Sequence, residues 1–290
     1  MDFVNRVRSG VQGRIETEGY VGGRDVIVNR LWQHHFGRGL DSTPSDYGAQ
    51  GDRPTHPELL DWLAKELIRS GWRLKPMHEL MMTSAAYMQG PPREADRSPS
   101  LSRRISASRL DPENTLFWQR SPQRLEAEVI RDAILFVSGR LDLKMFGPGS
   151  LEEAHLRRSI YFTIKRSRLI PMMVQFDAPD GLQGIGRRPQ TTVAPQALLL
   201  LNNPQIRAAA VACARHLLPL SAKSPASAIR AAYVAALGRP PEKQELAETA
   251  AFLTSQTASY QTAGKKDAEE LALADFCQAL FGLNEFIYVE

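Results

Sequence analysis

The sequence predicts a mainly α, irregular multi-helix domain with a small β element near residues 158–166. Three observations support this fold class. Apolar residues recur every three to five positions over much of the chain, a spacing that places them on one face of a helix. Proline often stands at the start of such segments and glycine often follows them, as is typical of helix ends. The best strand candidate is a single run rich in β-branched and aromatic residues, Ile160–Ile164.

In the first half of the chain, capping residues bound several of these segments. The sequence from Thr55 to Glu58 is typical of a capping box with proline just inside the helix, and Gly71 ends that segment. Residues 90–110 are rich in proline, serine and arginine and predict an exposed linker. The predicted helices of this half are residues 24–36, 55–70, 76–87, 111–118 and 122–138.

The second half combines the strand candidate with further helices. Residues 176–189 lack periodicity and predict an irregular segment, and a second linker is expected at 221–227. The predicted helices here are residues 195–201, 203–218, 228–237, 241–257 and 267–281. The predicted organisation is a polar N-terminal segment (1–23), a main helical domain (24–220) and a C-terminal helical subdomain (226–290) packed on it.

Composition narrows the class of protein without identifying it. The 290 residues carry 36 lysines and arginines against 32 aspartates and glutamates, a net charge of +4. No run approaches the roughly 18 apolar residues of a membrane-spanning helix, and two cysteines are too few for a disulfide scaffold. Residues 1–241 have a net charge of +10 and residues 242–290 one of −6. The positive part suggests an anionic partner, such as nucleic acid, an acidic glycan or a membrane surface.

Many short motifs follow one another along the chain in a definite order. They are Val28–Gly39, Thr43–Gly48, His56–Ala64, Met82–Tyr87, Asp111–Asn114, Arg124–Asp132, Phe176–Asp180, Thr191–Leu198, Asn202–Pro204, Leu237–Pro241 and Asn284–Val289. Together, from about Val26 to Glu290, they resemble the carboxy-terminal domain of the planctomycete-type cytochrome-c-associated proteins, a family of unknown function.

The resemblance implies an extracytoplasmic protein, periplasmic or at the cell surface, in which a cytochrome c domain and a second helical domain precede this one. Those domains are the implied partners. Haem is expected only on the upstream domain and no cofactor on this chain, which contains no CxxCH motif. Residues 1–23 do not match the family and lack a secretory signal, so the chain is expected to be truncated. The family provides no established catalytic residues to transfer.

A haem-linked context suggests a metal site, for which histidines are the first candidates. His35, His56 and His78 could converge with Asp46 around one ion. The alternative is structural: His35 would pack on Trp32, and His56 would lie in a helix cap.

The irregular segment and the threonines after it hold the candidate ligand site, because binding groups concentrate on loops held by rigid elements. The candidate residues are Asp177, Asp180, Arg187, Arg188, Thr191 and Thr192. Two carboxylates, two guanidinium groups and two hydroxyls could bind sugar hydroxyls or a carboxylated ligand. The alternative is a turn at Asp177–Gly181 with an arginine pair that caps helix carbonyls.

One predicted helix carries carboxylates that could act in acid–base chemistry. Glu128 and Asp132 are four residues apart and share a helix face. The alternative is an ion network, formed with arginines of the same helix, that joins helices. Cys213 and Cys277 stand among apolar residues and are expected to be buried thiols.

The leading functional hypothesis is an accessory or interaction module that binds the upstream domains or a glycan through the Asp177–Arg188 segment. The rival is a polysaccharide-active or redox enzyme with a site around Asp177–Arg188, His35 and His56. Nucleic-acid binding ranks third, because it needs the positive charge to cluster on one face.

Overall fold

The computed structural model describes residues 23–47, 50–90, 107–182 and 184–289. Helices dominate these residues and the sheet is small, so the predicted fold class is confirmed. The helices are α1 (Gly23–Phe36), α2 (Pro57–Arg69), α3 (Leu74–Met82), α4 (Ala127–Val137), α5 (Pro171–Gln175), α6 (Ala194–Asn202), α7 (Pro204–Ser221), α8 (Pro225–Leu237), α9 (Lys243–Thr262), α10 (Ala268–Phe281) and α11 (Asn284–Ile287). Strands β1 (Gln123–Arg124) and β2 (Tyr288–Val289) pair with each other, and a 3-10 turn spans Ser159–Tyr161.

The chain divides into two compact units. Of the described residues, unit 1 comprises those up to residue 123 together with 185–187, and unit 2 comprises those at 124–184 and 188–289. Nearly all of the predicted N-terminal segment and most of the predicted linker at 90–110 lie outside the described residues. The linker predicted at 221–227 lies inside unit 2, where α7 and α8 contribute to one core.

Unit 1 is built on α1, α2 and α3. Pro57 occupies the first turn of α2, where its fixed backbone angle favours a helix. The predicted capping box does not form, because the Thr55 hydroxyl donates to the Leu40 carbonyl at 3.2 Å and His56 is the N-cap. The core of this unit consists of Val28, Trp32, Phe36, Leu40, Leu60, Leu63, Ala64, Leu67, Met77, Met81 and Phe117.

Unit 2 has the larger core, and helices α4 to α11 all contribute residues to it. Asn203 caps α7, since its side-chain oxygen accepts hydrogen bonds from the backbone of Gln205 and Ile206. Cys213 on α7 and Cys277 on α10 are buried free thiols, as predicted.

For two segments, the predicted type of secondary structure is wrong. Residues 160–164 form no strand; the β character near residues 158–166 is limited to isolated bridges at Phe162 and Lys165. The cause is Asp132, whose carboxylate binds the Ser159 amide and hydroxyl and holds the start of this segment in the 3-10 turn. Residues 111–118 form turns rather than a helix, because the Asp111 carboxylate accepts backbone hydrogen bonds that compete with helical ones.

Candidate functional site

An open cleft of about 410 Å³ in unit 2 is the candidate functional site. Its walls come from the start of α4, the segment 158–165, the segment 168–174 that includes most of α5, the residues Ala178 and Pro179, and Arg188. Its volume lies within the range of about 300 to 1,000 Å³ that is typical of ligand pockets.

Aliphatic side chains that water can reach line this cleft. Four of them are between 45% and 74% exposed, and we call them the cleft aliphatics: Val129, Ile160, Ile164 and Val174. A helix that buries one face presents the opposite face to solvent, and α4 presents Val129 in this way while Ile130 enters the core. Exposed apolar side chains that line one cleft favour binding, because a partner that covers them removes them from water.

Three carboxylates on the α4 side of the cleft are each held by neighbouring groups. The Arg188 guanidinium donates to Glu128 at 2.7 Å and lies 3.3 Å from Glu126. Burial alone would lower the pKa of Arg188, but its hydrogen bond to Glu128 and the charges of both glutamates raise it. The Ser159 amide and hydroxyl each donate to Asp132 at 2.7 Å. These carboxylates therefore form an ion and hydrogen-bond network that fixes the cleft walls on α4.

A buried arginine behind the 3-10 turn supports the same wall. The Arg131 guanidinium donates to the Arg157 carbonyl at 3.0 Å and to the Ser159 hydroxyl at 3.2 Å. It also lies 4.6 Å from the centre of the Phe162 ring, a distance that gives a cation–π contact. The cleft wall is thus held in shape before any ligand binds.

Cations on the rim are more accessible than the carboxylates. We call Arg158, Lys165 and Arg168 the rim cations. The side chains of Arg158 and Arg168 are 60% and 56% exposed. Arg158 lies 3.6 Å from Asp132 and Arg168 lies 2.8 Å from Glu152, and such exposed pairs leave the cations open to a competing anion. The rim therefore presents more accessible positive than negative charge to a partner.

Asp177, at the centre of the predicted ligand site, anchors the loop beside the cleft. Its carboxylate accepts hydrogen bonds from Arg124 at 2.7 Å, from the Thr191 amide at 2.8 Å and from the Thr191 hydroxyl at 2.9 Å. The side chains of Arg124 and Asp177 are only 5% and 13% exposed. Partial burial alone would raise the pKa of Asp177, but the hydrogen bonds from Thr191 and Arg124 hold it below its ordinary value. The carboxylate oxygens of Asp177 therefore accept their hydrogen bonds from within the fold.

The other predicted ligand residues are dispersed. Arg188 lines the cleft. Asp180 is exposed and accepts a hydrogen bond from the amide two residues further on, in a turn. The Thr192 hydroxyl is 3.2 Å from that of Tyr288, and Arg187 is exposed and belongs to unit 1. The structure thus places one predicted residue in the cleft and two, Asp177 and Thr191, in its support.

Two of the four predicted metal ligands, both in unit 1, are in contact. Nε2 of His35 lies 2.8 Å from Nδ1 of His78, and burial followed by the charge of His78 lowers the pKa of His35. His56 lies at the start of α2, with Nδ1 2.9 Å from the Thr55 hydroxyl. Within the described ranges, no three His, Cys, Asp or Glu side chains are grouped as a metal site requires. A metal site that also includes Asp46 stays a prediction.

Sequence reasoning missed most of the cleft. It took residues 160–164 for a strand, whereas Ile160 and Ile164 are exposed. The available signal was the density of cations around them, with Arg157 and Arg158 before and residues 165–168 after. A strand buried in a core is seldom flanked so closely by charge on both sides.

Residues 23–253 match the model of a family described as "PSD1: Protein of unknown function (DUF1553)". The match covers most of the chain, which therefore belongs to this family. No curated protein and no solved structure matches the chain. The predicted membership of a family of unknown function is confirmed, while the association with planctomycetes and cytochrome c stays a prediction. Among the helices of the described residues, none is long and apolar enough to cross a membrane.

Proposed function

We propose that this member of the DUF1553 family is an interaction module whose cleft in unit 2 binds a segment of a partner protein. The observation that carries the proposal is the set of cleft aliphatics, exposed together in one concavity beside the rim cations. A matching segment would place aliphatic side chains in the cleft and a carboxylate against the rim.

A protein segment suits this cleft better than a glycan does. Sugar hydroxyls need polar partners when they lose water, and the cleft aliphatics offer none. The carboxylates on the α4 side, which could accept hydrogen bonds from sugars, are already engaged by Arg188 and Ser159. The transfer of an aliphatic side chain of a peptide from water into such a cleft, by contrast, lowers the free energy.

We propose that the partner is one of the upstream domains that the resemblance implies, the second helical domain or the cytochrome c domain, in the periplasm or at the cell surface. Haem would then belong to the cytochrome c domain, and this chain would provide the binding surface. Domains joined in one chain meet at a high effective concentration, so a cleft of modest affinity suffices for such a contact.

Selection of a random peptide library on phage against the 290-residue chain tests the proposal. We expect enrichment of peptides in which aliphatic residues adjoin aspartate or glutamate, and loss of that enrichment in the double variant I160S/I164S. The matched control is Val234→Ser, which changes an exposed aliphatic residue of α8 outside the cleft.

The acidic polysaccharide polygalacturonate serves as the glycan arm of this experiment. If polygalacturonate binds the wild-type chain but not I160S/I164S, the ligand of the cleft is a glycan and not a peptide. Peptides that are enriched equally on I160S/I164S and on Val234→Ser would overturn the assignment of the cleft.

A further inference from the structure

A second exposed apolar surface lies in unit 2 outside the cleft. Leu143, Met145 and Phe146 are between 65% and 76% exposed, and none of the three lines the cleft. We call residues 143–147 the apolar loop. Single exposed apolar side chains are ordinary, but three large ones within four residues mark a contact surface.

The backbone of the apolar loop has its hydrogen-bonding partners inside the protein. The Arg157 guanidinium donates to the carbonyls of Lys144 at 3.1 Å and Pro148 at 3.2 Å, and also to that of Phe146. It lies 3.6 Å from the centre of the Tyr161 ring, whose hydroxyl accepts a hydrogen bond from the Phe146 amide at 2.8 Å. The loop can therefore leave water without stranding these backbone groups, a condition for entering the lipid interface.

The segment that contains the apolar loop is strongly basic. Residues 142–168 hold six lysines and arginines against one aspartate and two glutamates, a net charge of +3. Glu152 pairs with the rim cation Arg168 at 2.8 Å, and Glu153 accepts a hydrogen bond from Asn203 at 2.8 Å. Lys144 stands inside the loop itself, where a long aliphatic stem can lie along apolar surface while its ammonium group reaches a phosphate.

We propose that the apolar loop inserts into the headgroup region of an anionic lipid bilayer while the ammonium group of Lys144 binds a lipid phosphate. The combination of leucine and phenylalanine with lysine and arginine is typical of segments that lie at a membrane surface. The centre of a protein interface, by comparison, is depleted of lysine. The apolar loop and Lys144 do not line the cleft, so the proposal does not depend on the ligand of the cleft.

Co-sedimentation of the full chain with vesicles tests this inference. We expect binding to vesicles of phosphatidylcholine and phosphatidylglycerol at three to one that weakens with added salt, and little binding to pure phosphatidylcholine. The double variant M145S/F146S should bind the anionic vesicles at least about tenfold more weakly, because it removes two of the inserting side chains. Lys144→Glu should reduce binding severalfold.

Phe252→Ser is the matched control, because it removes a partly exposed phenylalanine of α9 outside the apolar loop. It should bind the vesicles as the wild-type chain does, and circular dichroism confirms the folding of every variant. Wild-type chain that stays in the supernatant with anionic vesicles overturns the proposal. So does an M145S/F146S variant that sediments as well as Phe252→Ser does. Unchanged peptide binding by M145S/F146S separates this surface from the cleft.

Discussion

The Asp177 cluster and the cleft beside it are both rich in charge, yet they differ in what they leave to solvent. In the cluster, Arg124 and Thr191 donate hydrogen bonds to the Asp177 carboxylate, and the side chains of Arg124 and Asp177 are largely buried. At the cleft, the rim cations and the cleft aliphatics stay accessible. Charged residues that lie close together can bind a ligand only where solvent, and therefore a partner, can reach them.

The largest expected effect is the loss of the Asp177 anchor. Asp177→Ala should lower the free energy of unfolding by about 3 kcal/mol, because it leaves the buried Arg124 guanidinium without its counter-charge. Asp180→Ala, in the exposed turn, should change it by less than about 0.5 kcal/mol. Urea unfolding measures both. Equal losses of unfolding free energy would mean that Asp177 contributes no more to stability than Asp180 does.

Acid should remove the same anchor in the wild-type chain. The pKa of Asp177 is lower in the folded than in the unfolded state, so its contribution to stability is complete above the ordinary value of about 3.9. The contribution is lost as the pH falls through the lower, folded value. The difference in unfolding free energy between wild type and Asp177→Asn should therefore narrow as the pH is lowered below about 4. A difference that stays constant to pH about 2 would contradict the assigned direction of the pKa shift.

Arg188 should contribute less than the Asp177 anchor does. It joins α4 to its loop through Glu128 and Glu126, but all three side chains are about one-third exposed. Solvent screens such pairs, so Arg188→Ala should cost about 1 kcal/mol or less. Thermal unfolding followed by circular dichroism tests this. A loss of unfolding free energy as large as that of Asp177→Ala would mean that the exposed ion pairs of Arg188 stabilise the fold as much as the Asp177 anchor does.

The smallest expected effect on stability belongs to the cleft aliphatics. Ile160→Ala should change the unfolding free energy by less than about 0.5 kcal/mol, because the side chain is already in water. Ile130→Ala, on the core side of α4, is the matched control and should cost about 3 kcal/mol. A large cost for Ile160→Ala would show that the residue serves packing rather than recognition.

Local signals predicted the helices better than they predicted the site. Proline at the start of α2 and Asn203 before α7 act within one turn, so the sequence shows them directly. The strand at residues 160–164 failed because a carboxylate 27 residues earlier, Asp132, holds Ser159. The contacts of Asp177 were not predictable for a similar reason, since its partner Arg124 is 53 residues away. Exposure of the cleft aliphatics depends on such distant contacts, and the sequence shows only the cations that flank residues 160–164.

The most direct test of the cleft assignment is the affinity of one labelled peptide from the phage selection, measured by fluorescence anisotropy. We expect I160S/I164S to raise the Kd of the peptide at least about tenfold at unchanged melting temperature. Val234→Ser, with its substitution outside the cleft, should bind the peptide with the wild-type Kd. The same Kd for all three chains would contradict the claim that the cleft of unit 2 is the recognition site.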